Sequence, residues 1–351
     1  MVLGHGLWIN VLSVRYGVGR TLDLAKLIPA MLYYFGIDEA GYGPMLGPLC
    51  VAAAGFAVTV DDDSKSHQGN PALPNLWQTL SNAVCRTRRD PRRRIAIDDS
   101  KRLKGARKAK MHPLSHLERG VLSFAAVRRE LPETDSSLFK QLGADIQQRP
   151  WYENEVSLPV SQDAGLLKIS GGKLDRALQD AQVDYLGTAC EIIDAGSFNQ
   201  QVELTGRKSS VNLSAAMRLV DRIWRTWDGA HIVLDRQGGK MRYRADLQQC
   251  WPESQVTICD ETPKYSSYQL CRDQGTLWIS FQVSAEDQHL PVALASMTAK
   301  YSRELMMERL NGYFGRHVPD LRPTAGYVQD ARRYLQDIDP VIQECQIDRS
   351  Q

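Results

Sequence analysis

Residues 36–53 read GIDEAGYGPMLGPLCVAA. The apolar YYF stretch leads into this run and the apolar PLCVAAAGFAV leads out of it, which predicts strand, turn and strand over Leu32–Val58. Asp38 and Glu39 end the first strand. Neighbouring residues of a strand point to opposite faces, so two adjacent acids are wasteful in a core and suit an exit that faces a cleft. The glycines after them let the chain bend and bring its backbone close to a ligand. An acidic strand end at the surface would be the better reading if this site stood alone.

It does not stand alone. HIVLDRQGG ends a second short apolar strand on Asp235, again before glycines, where α/β sheets place ligand-binding residues. Taken singly, Asp235 reads better as a capping or turn aspartate. In SAEDQHLPVALASMTAKYSREL, Glu286 and Asp287 lie between a strand-like WISFQV and a helix rich in small residues. Ala293, Ala295, Ser296 and Ala299 would let that helix pack closely on a sheet. The bland account of these two acids is stabilisation by the helix dipole. Together, however, the acids form a set ready to converge, and unpaired like charges in one cleft need cations to neutralise them. Mg²⁺ favours a few carboxylates with water and phosphate oxygens. Two such ions about 4 Å apart can activate a water and stabilise the leaving oxygen of a phosphodiester.

The rest of the chain sets the frame. Of its 351 residues 43% are hydrophobic and 24% charged, as in an ordinary globular protein, and no apolar run approaches the roughly 18 residues of a membrane span. The seven cysteines include no Cys-x-x-Cys clip, which argues against a zinc site or disulfide framework and for a reducing cytoplasm. The net charge is only +2, but Arg86–Lys110 carries twelve basic residues, among them Arg92, Arg93 and Arg94, against Asp90, Asp98 and Asp99. Such a block suits a polyanion, and a solvated surface loop explains it equally well. Helices are expected over Leu76–Arg86, His116–Arg129, Gly165–Asp180, Asn212–Trp227, Met241–Cys250, Pro291–Tyr313 and Val328–Ile338. Strands are expected at RIAID, VDYLGTACEIID and HIVLD, with two or three more before Val283. This alternation indicates an α/β fold around a mixed sheet. Residues 1–30 look foreign to the rest of the chain, and we expect a non-native or disordered extension with the true start at Met31. One catalytic domain over 31–340 is expected, with insertions around 61–75 and 132–165, and a tail over 341–351.

Several segments resemble one family in order. GIDEAGYGPMLGPLCVAA is similar to the opening motif of type 2 ribonucleases H, and IDDSKRL to their Asp-Ser-Lys segment. HIVLD resembles the strand bearing their third acid, ALASMTAKYSREL their Ala-Ser-x-x-Ala-Lys helix, and GYVQDARRYL their late Gly-Tyr element. The resemblance implies a ribonuclease H-like mixed sheet flanked by helices, with a helical C-terminal part and a long insertion. It implies that Asp38, Glu39, Asp235 and Glu286 are the catalytic, metal-holding acids, with Glu286 favoured over Asp287 because the spacing to Ser296 is closest to the ribonuclease HIII pattern. Gly41, Tyr42, Gly43, Ser100, Lys101, Ser296, Lys300 and Tyr327 become candidate substrate contacts. Tyr42 stands where ribonuclease HII has arginine and cannot offer a guanidinium to a phosphate, which places recognition of single embedded ribonucleotides in question.

The function so implied is metal-dependent hydrolysis of the RNA strand of RNA–DNA hybrids with Mg²⁺ or Mn²⁺, leaving a 5′-phosphate and a 3′-hydroxyl. The expected setting is cytoplasmic DNA replication and repair, by a monomer with no membrane partner. The rivals are a catalytically inactive nucleic-acid-binding protein of the same fold, favoured by Tyr42 and the insertion, and a junction resolvase. The basic block could touch hybrid phosphates, in which case charge reversal over Arg92–Arg94 would weaken binding and flatten its salt dependence.

Overall fold

A computed structural model describes residues 30–60, 72–105, 111–273 and 275–348. The expected N-terminal extension, most of the 61–75 insertion, the basic residues Arg107, Lys108 and Lys110, and the last residues of the tail lie outside these segments. The chain opens with strands β1 (Ala30–Ala40) and β2 (Leu49–Val60), then helix α1 (Leu76–Thr79). Strands β3 (Val84–Cys85) and β4 (Ile95–Ala96) make a small separate parallel pair. Helices α2 (Ser100–Leu103), α3 (Ser115–Ala125), α4 (Asp135–Gln141) and α5 (Ala164–Asp180) come next, then β5 (Val183–Ile193), α6 (Ala195–Thr205), α7 (Lys208–Thr226) and β6 (Ala230–Asp235). The last third holds α8 (Arg244–Cys250), β7 (Gln255–Glu261), β8 (Tyr265–Arg272), β9 (Gly275–Gln282), α9 (Leu290–His317), α10 (Val328–Asp337) and α11 (Asp339–Glu344).

The main sheet has seven strands in the order β5-β2-β1-β6-β9-β8-β7. Its centre, β1, β6 and β9, is parallel, and the flanking pairs are antiparallel. This is the mixed sheet flanked by helices that the sequence predicts. Period-2 alternation divides the two cores. Leu32, Tyr34 and Val233 face one core with α9, α3 and α5, whereas Phe35, Ile37, Ile232 and Leu234 face the other with α7. The small residues of α9 explain its position. Gly36 of β1 lies so close to the helix that a Cβ there would stand 2.1 Å from the Val292 nitrogen.

Some local expectations fail. The helix expected over Leu76–Arg86 stops at Thr79, and Val84–Cys85 pairs with Ile95–Ala96 instead. The segment after Asp194, outside the helices expected from the sequence, forms α6 with Asp194 as its N-cap. Helix α11 crosses the boundary expected at 340 and buries Val341 and Ile342. The insertion expected around 132–165 packs into the fold: Leu138, Phe139, Trp151 and Tyr152 join the core, and Arg309 of α9 makes a 2.6 Å ion pair with the fully buried Asp135.

Candidate active site

Three adjacent parallel strands must end at the same edge of the sheet, and that fact assembles the site. In register, Ile37 of β1 pairs with Leu234 of β6, and Asp235 with Gln282 of β9. Asp38 therefore ends β1 at the level where Asp235 ends β6, and Glu286 comes after β9 by one short turn, Ala285–Asp287. Alternation sends Asp38 to the α9 face and Glu39 to the α7 face. Ser296 of α9 accordingly hydrogen-bonds Asp38, and Asn212 of α7 hydrogen-bonds Glu39. The Asp235 Oδ1 accepts the Ala285 N–H at 3.0 Å, which ties the Glu286 turn to β6.

The electrostatics arise from this crowding. Burial holds Asp38 well above the ordinary carboxylate range, and the charges of Glu39 and Asp235 push it further. Burial also raises Glu39 and Asp235, while the Asn212 hydrogen bond opposes the shift of the first and the Ala285 amide that of the second. Glu286 is pushed up to about 7 by burial and then by Asp235, to which it hydrogen-bonds. Asp287 has a different fate. It points back to Arg102 at 2.6 Å and Arg86 at 3.3 Å, an arginine pair shared with Asp98. The structure thus brings Asp38, Glu39, Asp235 and Glu286 together and leaves Asp287 neutralised beside them.

The other candidates divide. The Ser296 and Ser100 hydroxyls share a hydrogen bond at 3.0 Å, fixing the Ser100–Lys101 turn against α9, and Lys101 is near enough to Glu39 and Asp235 to favour their charged forms. Lys300 is turned to Glu304 at 2.8 Å, which Lys104 also meets at 2.6 Å, so it stands in a separate ion cluster. Gly41 has φ +103 and no room for a Cβ against the Pro48 carbonyl, whereas Gly43 borders open space. Tyr42 and Tyr327 both expose their rings. Gly326 binds their two loops together, because its carbonyl accepts the Met45 and Leu46 amides at 2.7 and 3.1 Å. The guanidinium of the fully buried Arg303 closes the same junction by donating to the Leu46 and Ala325 carbonyls.

Sequence reasoning misses Asn212 and the part played by Arg303. A polar residue in a helical NLSAAM run carries no sign of its target, and Arg303 stands out in the sequence only as part of a motif.

The acids offer a cation hard oxygen donors, and the buried Glu286 Oε2 has no partner. Among the described residues no three His, Cys, Asp or Glu side chains are already gathered as ligands of one ion. Mg²⁺ needs no such cage, because one or two carboxylates with water and substrate phosphate suffice. The donor set fits a divalent cation on that basis.

No family model and no curated protein matches the chain. Among solved structures it is similar to the Archaeoglobus fulgidus ribonuclease HII determined with PCNA, at 15% identity and TM-score 0.38 over 91% of this chain and 92% of that one. It is also similar to ribonuclease H2 of Pyrococcus horikoshii OT3, at 13% identity and TM-score 0.39 over 91% of each chain. Bst-RNase HIII, determined with Mn²⁺, shows 16% identity and TM-score 0.34 over 92% of this chain and 68% of that one. All are type 2 ribonucleases H, the family that the motifs resemble.

Proposed function

We propose that this protein is an endonuclease that hydrolyses the RNA strand of RNA–DNA hybrids, leaving a 5′-phosphate and a 3′-hydroxyl, with Mg²⁺ or Mn²⁺ held by Asp38, Glu39, Asp235 and Glu286. The observation that carries this reading is the convergence of these four acids at one sheet edge, where burial raises the proton affinity of each and neighbouring negative charge adds to it at Asp38, Glu39 and Glu286. A protein gains nothing in stability from such a cluster, so it suits a bound cation and a polyanionic substrate. The cations would supply an activated water and charge stabilisation of the leaving oxygen.

The chain's own groups do the rest. Asp38 is oriented by the Ser296 hydroxyl and the Glu39 amide, the latter at 2.8 Å, and Asp235 by the Ala285 amide. Lys101 brings a positive charge to the same edge. The exposed rings of Tyr42 and Tyr327 offer flat surfaces to a sugar or base.

The test is a cleavage assay on a labelled hybrid and on a duplex bearing one ribonucleotide, with Mg²⁺ or Mn²⁺ and an Asp38→Asn control. Metal-dependent cutting of the RNA strand, lost in the control, is expected. Tight binding with no metal-dependent cleavage would select an inactive binding protein instead, the reading that Tyr42 between the loop glycines favours.

A further inference from the structure

Between α3 and the turn that enters β4 lies an open cavity of 600 Å³, bordered by none of the four acids and by neither Ser100 nor Lys101. Arg88, Arg89, Arg93 and Arg119 line it, with Arg94 and a single acid, Asp90. That acid is spent within the turn. Its carboxylate accepts the Arg94 amide at 2.8 Å and pairs with the Arg94 guanidinium at 2.7 Å. Four guanidinium groups thus line one cavity with no carboxylate among the described residues to balance them. A concave wall of one sign concentrates its field and draws counter-ions.

Two further observations separate this cavity from an ordinary solvated basic face. Arg119, on α3, is half-buried, and its guanidinium donates to the Arg93 carbonyl and, at 3.5 Å, to the Ser170 hydroxyl, both of them neutral acceptors. A cation drawn out of water without a counter-ion is costly, so it suits a place that an anion completes. Arg93 itself takes φ +54, a left-handed conformation that residues with a side chain rarely adopt. The turn so formed brings the Arg93 carbonyl to Arg119 while its side chain lines the cavity. His116 lies one turn before Arg119 on the same face of α3 and reports the field. Burial, and then the charges of Arg88 and Arg119, hold its imidazole below the ordinary histidine range.

The charge count selects the ligand. A phosphodiester brings about one negative charge. A phosphate monoester brings about two at neutral pH, and a polyphosphate brings more. The planar fork of arginine matches phosphate oxygens two at a time. We propose that this cavity binds a terminal phosphate or polyphosphate group, held by Arg88, Arg93 and Arg119. Two sources carry that chemistry, the phosphorylated end of a nucleic-acid strand and a free nucleotide or polyphosphate. The site stands whether or not the acids cut RNA.

The test is calorimetric titration of inorganic tripolyphosphate into the full chain, at fixed ionic strength and with a chelator present so that no divalent cation bridges it to the acids. The wild type is expected to bind at least about tenfold more tightly than Arg119→Gln, and than Arg88→Gln combined with Arg93→Gln. Arg316→Gln, an exposed change in the last turn of α9, should match the wild type. If Arg119→Gln fails to fold, the exposed pair Arg88 and Arg93 still decides. Equal affinity in every protein, an equal loss in Arg316→Gln, or no binding at all overturns the proposal. Metal-free fluorescence anisotropy with hybrids bearing phosphorylated or hydroxyl ends then separates the two sources. A preference for the phosphorylated end that Arg119→Gln erases identifies a strand terminus. No preference, with tripolyphosphate still bound, identifies a free ligand at the same site.

Discussion

At the scale of single residues, the contrast between Glu286 and Asp287 shows what the sequence could and could not say. Both come after a strand and precede a helix, so spacing alone ranks them weakly. The fold separates them because Asp287 already has Arg86 and Arg102, whereas the Glu286 Oε2 is buried without a partner. Glu286→Gln should therefore lower metal-dependent hybrid cleavage by at least about a hundredfold, and Asp287→Asn by far less. Comparable losses in steady-state assays would reject Glu286 as the fourth acid. The same residue gives a pH signature. Its carboxyl is raised from 4.5 to about 7 in the fold, so the folded protein holds more protons than the unfolded chain between those values. Stability from this group is then complete below about pH 4.5 and lost as pH rises through about 7. In metal-free buffer the melting temperature of the wild type should fall over that interval more steeply than that of Glu286→Gln. Parallel curves for the two proteins would contradict the assignment.

Elements were legible where periodicity was strong and obscure where their partners are remote. Two of the three central strands, β1 and β6, announced themselves as apolar runs closed by acids before glycines, which is why Asp38, Glu39 and Asp235 could be read together. The 132–165 segment could not be read, because what orders it comes from elsewhere: Arg309 for Asp135, and the hydroxyl of Tyr301 beside the loop amides of Val160, Ser161 and Gln162 on the buried Glu118. The junction between the sheet and α9 is a further case. Ala293, Ala295 and Ala299 predicted close packing, but only the structure identifies Gly36 as the contact. Gly36→Ala would place a methyl 2.1 Å from the Val292 nitrogen, in backbone that cannot rotate away. A destabilisation of at least about 2 kcal/mol is expected in chemical denaturation. The displaced helix would carry Ser296 from Asp38, so cleavage should fall even at temperatures where the variant stays folded. A neutral substitution would show that the helix can slide.

For the molecule as a whole, the question is how much of the basic block is available to a polyanion. Twelve basic residues between Arg86 and Lys110 would, if each neutralised a phosphate, give a salt slope of about −11 in a logarithmic binding plot. The fold uses several of them internally. Arg94 pairs with Asp90 at 2.7 Å, Arg102 with Asp287, and Lys104 with Glu304, while Arg86 pairs with Asp98 and lies over the Trp77 ring. The partners of Arg102 and Lys104 were invisible in sequence, since Asp287 and Glu304 lie far along the chain. Binding a phosphate through Arg94 would mean giving up Asp90, whose carboxyl is already held down to about 2 by that guanidinium. The expectation for Arg92–Arg94 as one contact surface is therefore narrowed to the exposed Arg89, Arg92 and Arg93, which open onto solvent. Neutralising two of them, Arg89→Gln with Arg92→Gln, should reduce the salt slope for a metal-free hybrid by about 2 at most and leave thermal stability unchanged. An unaltered slope would take this face out of the interface.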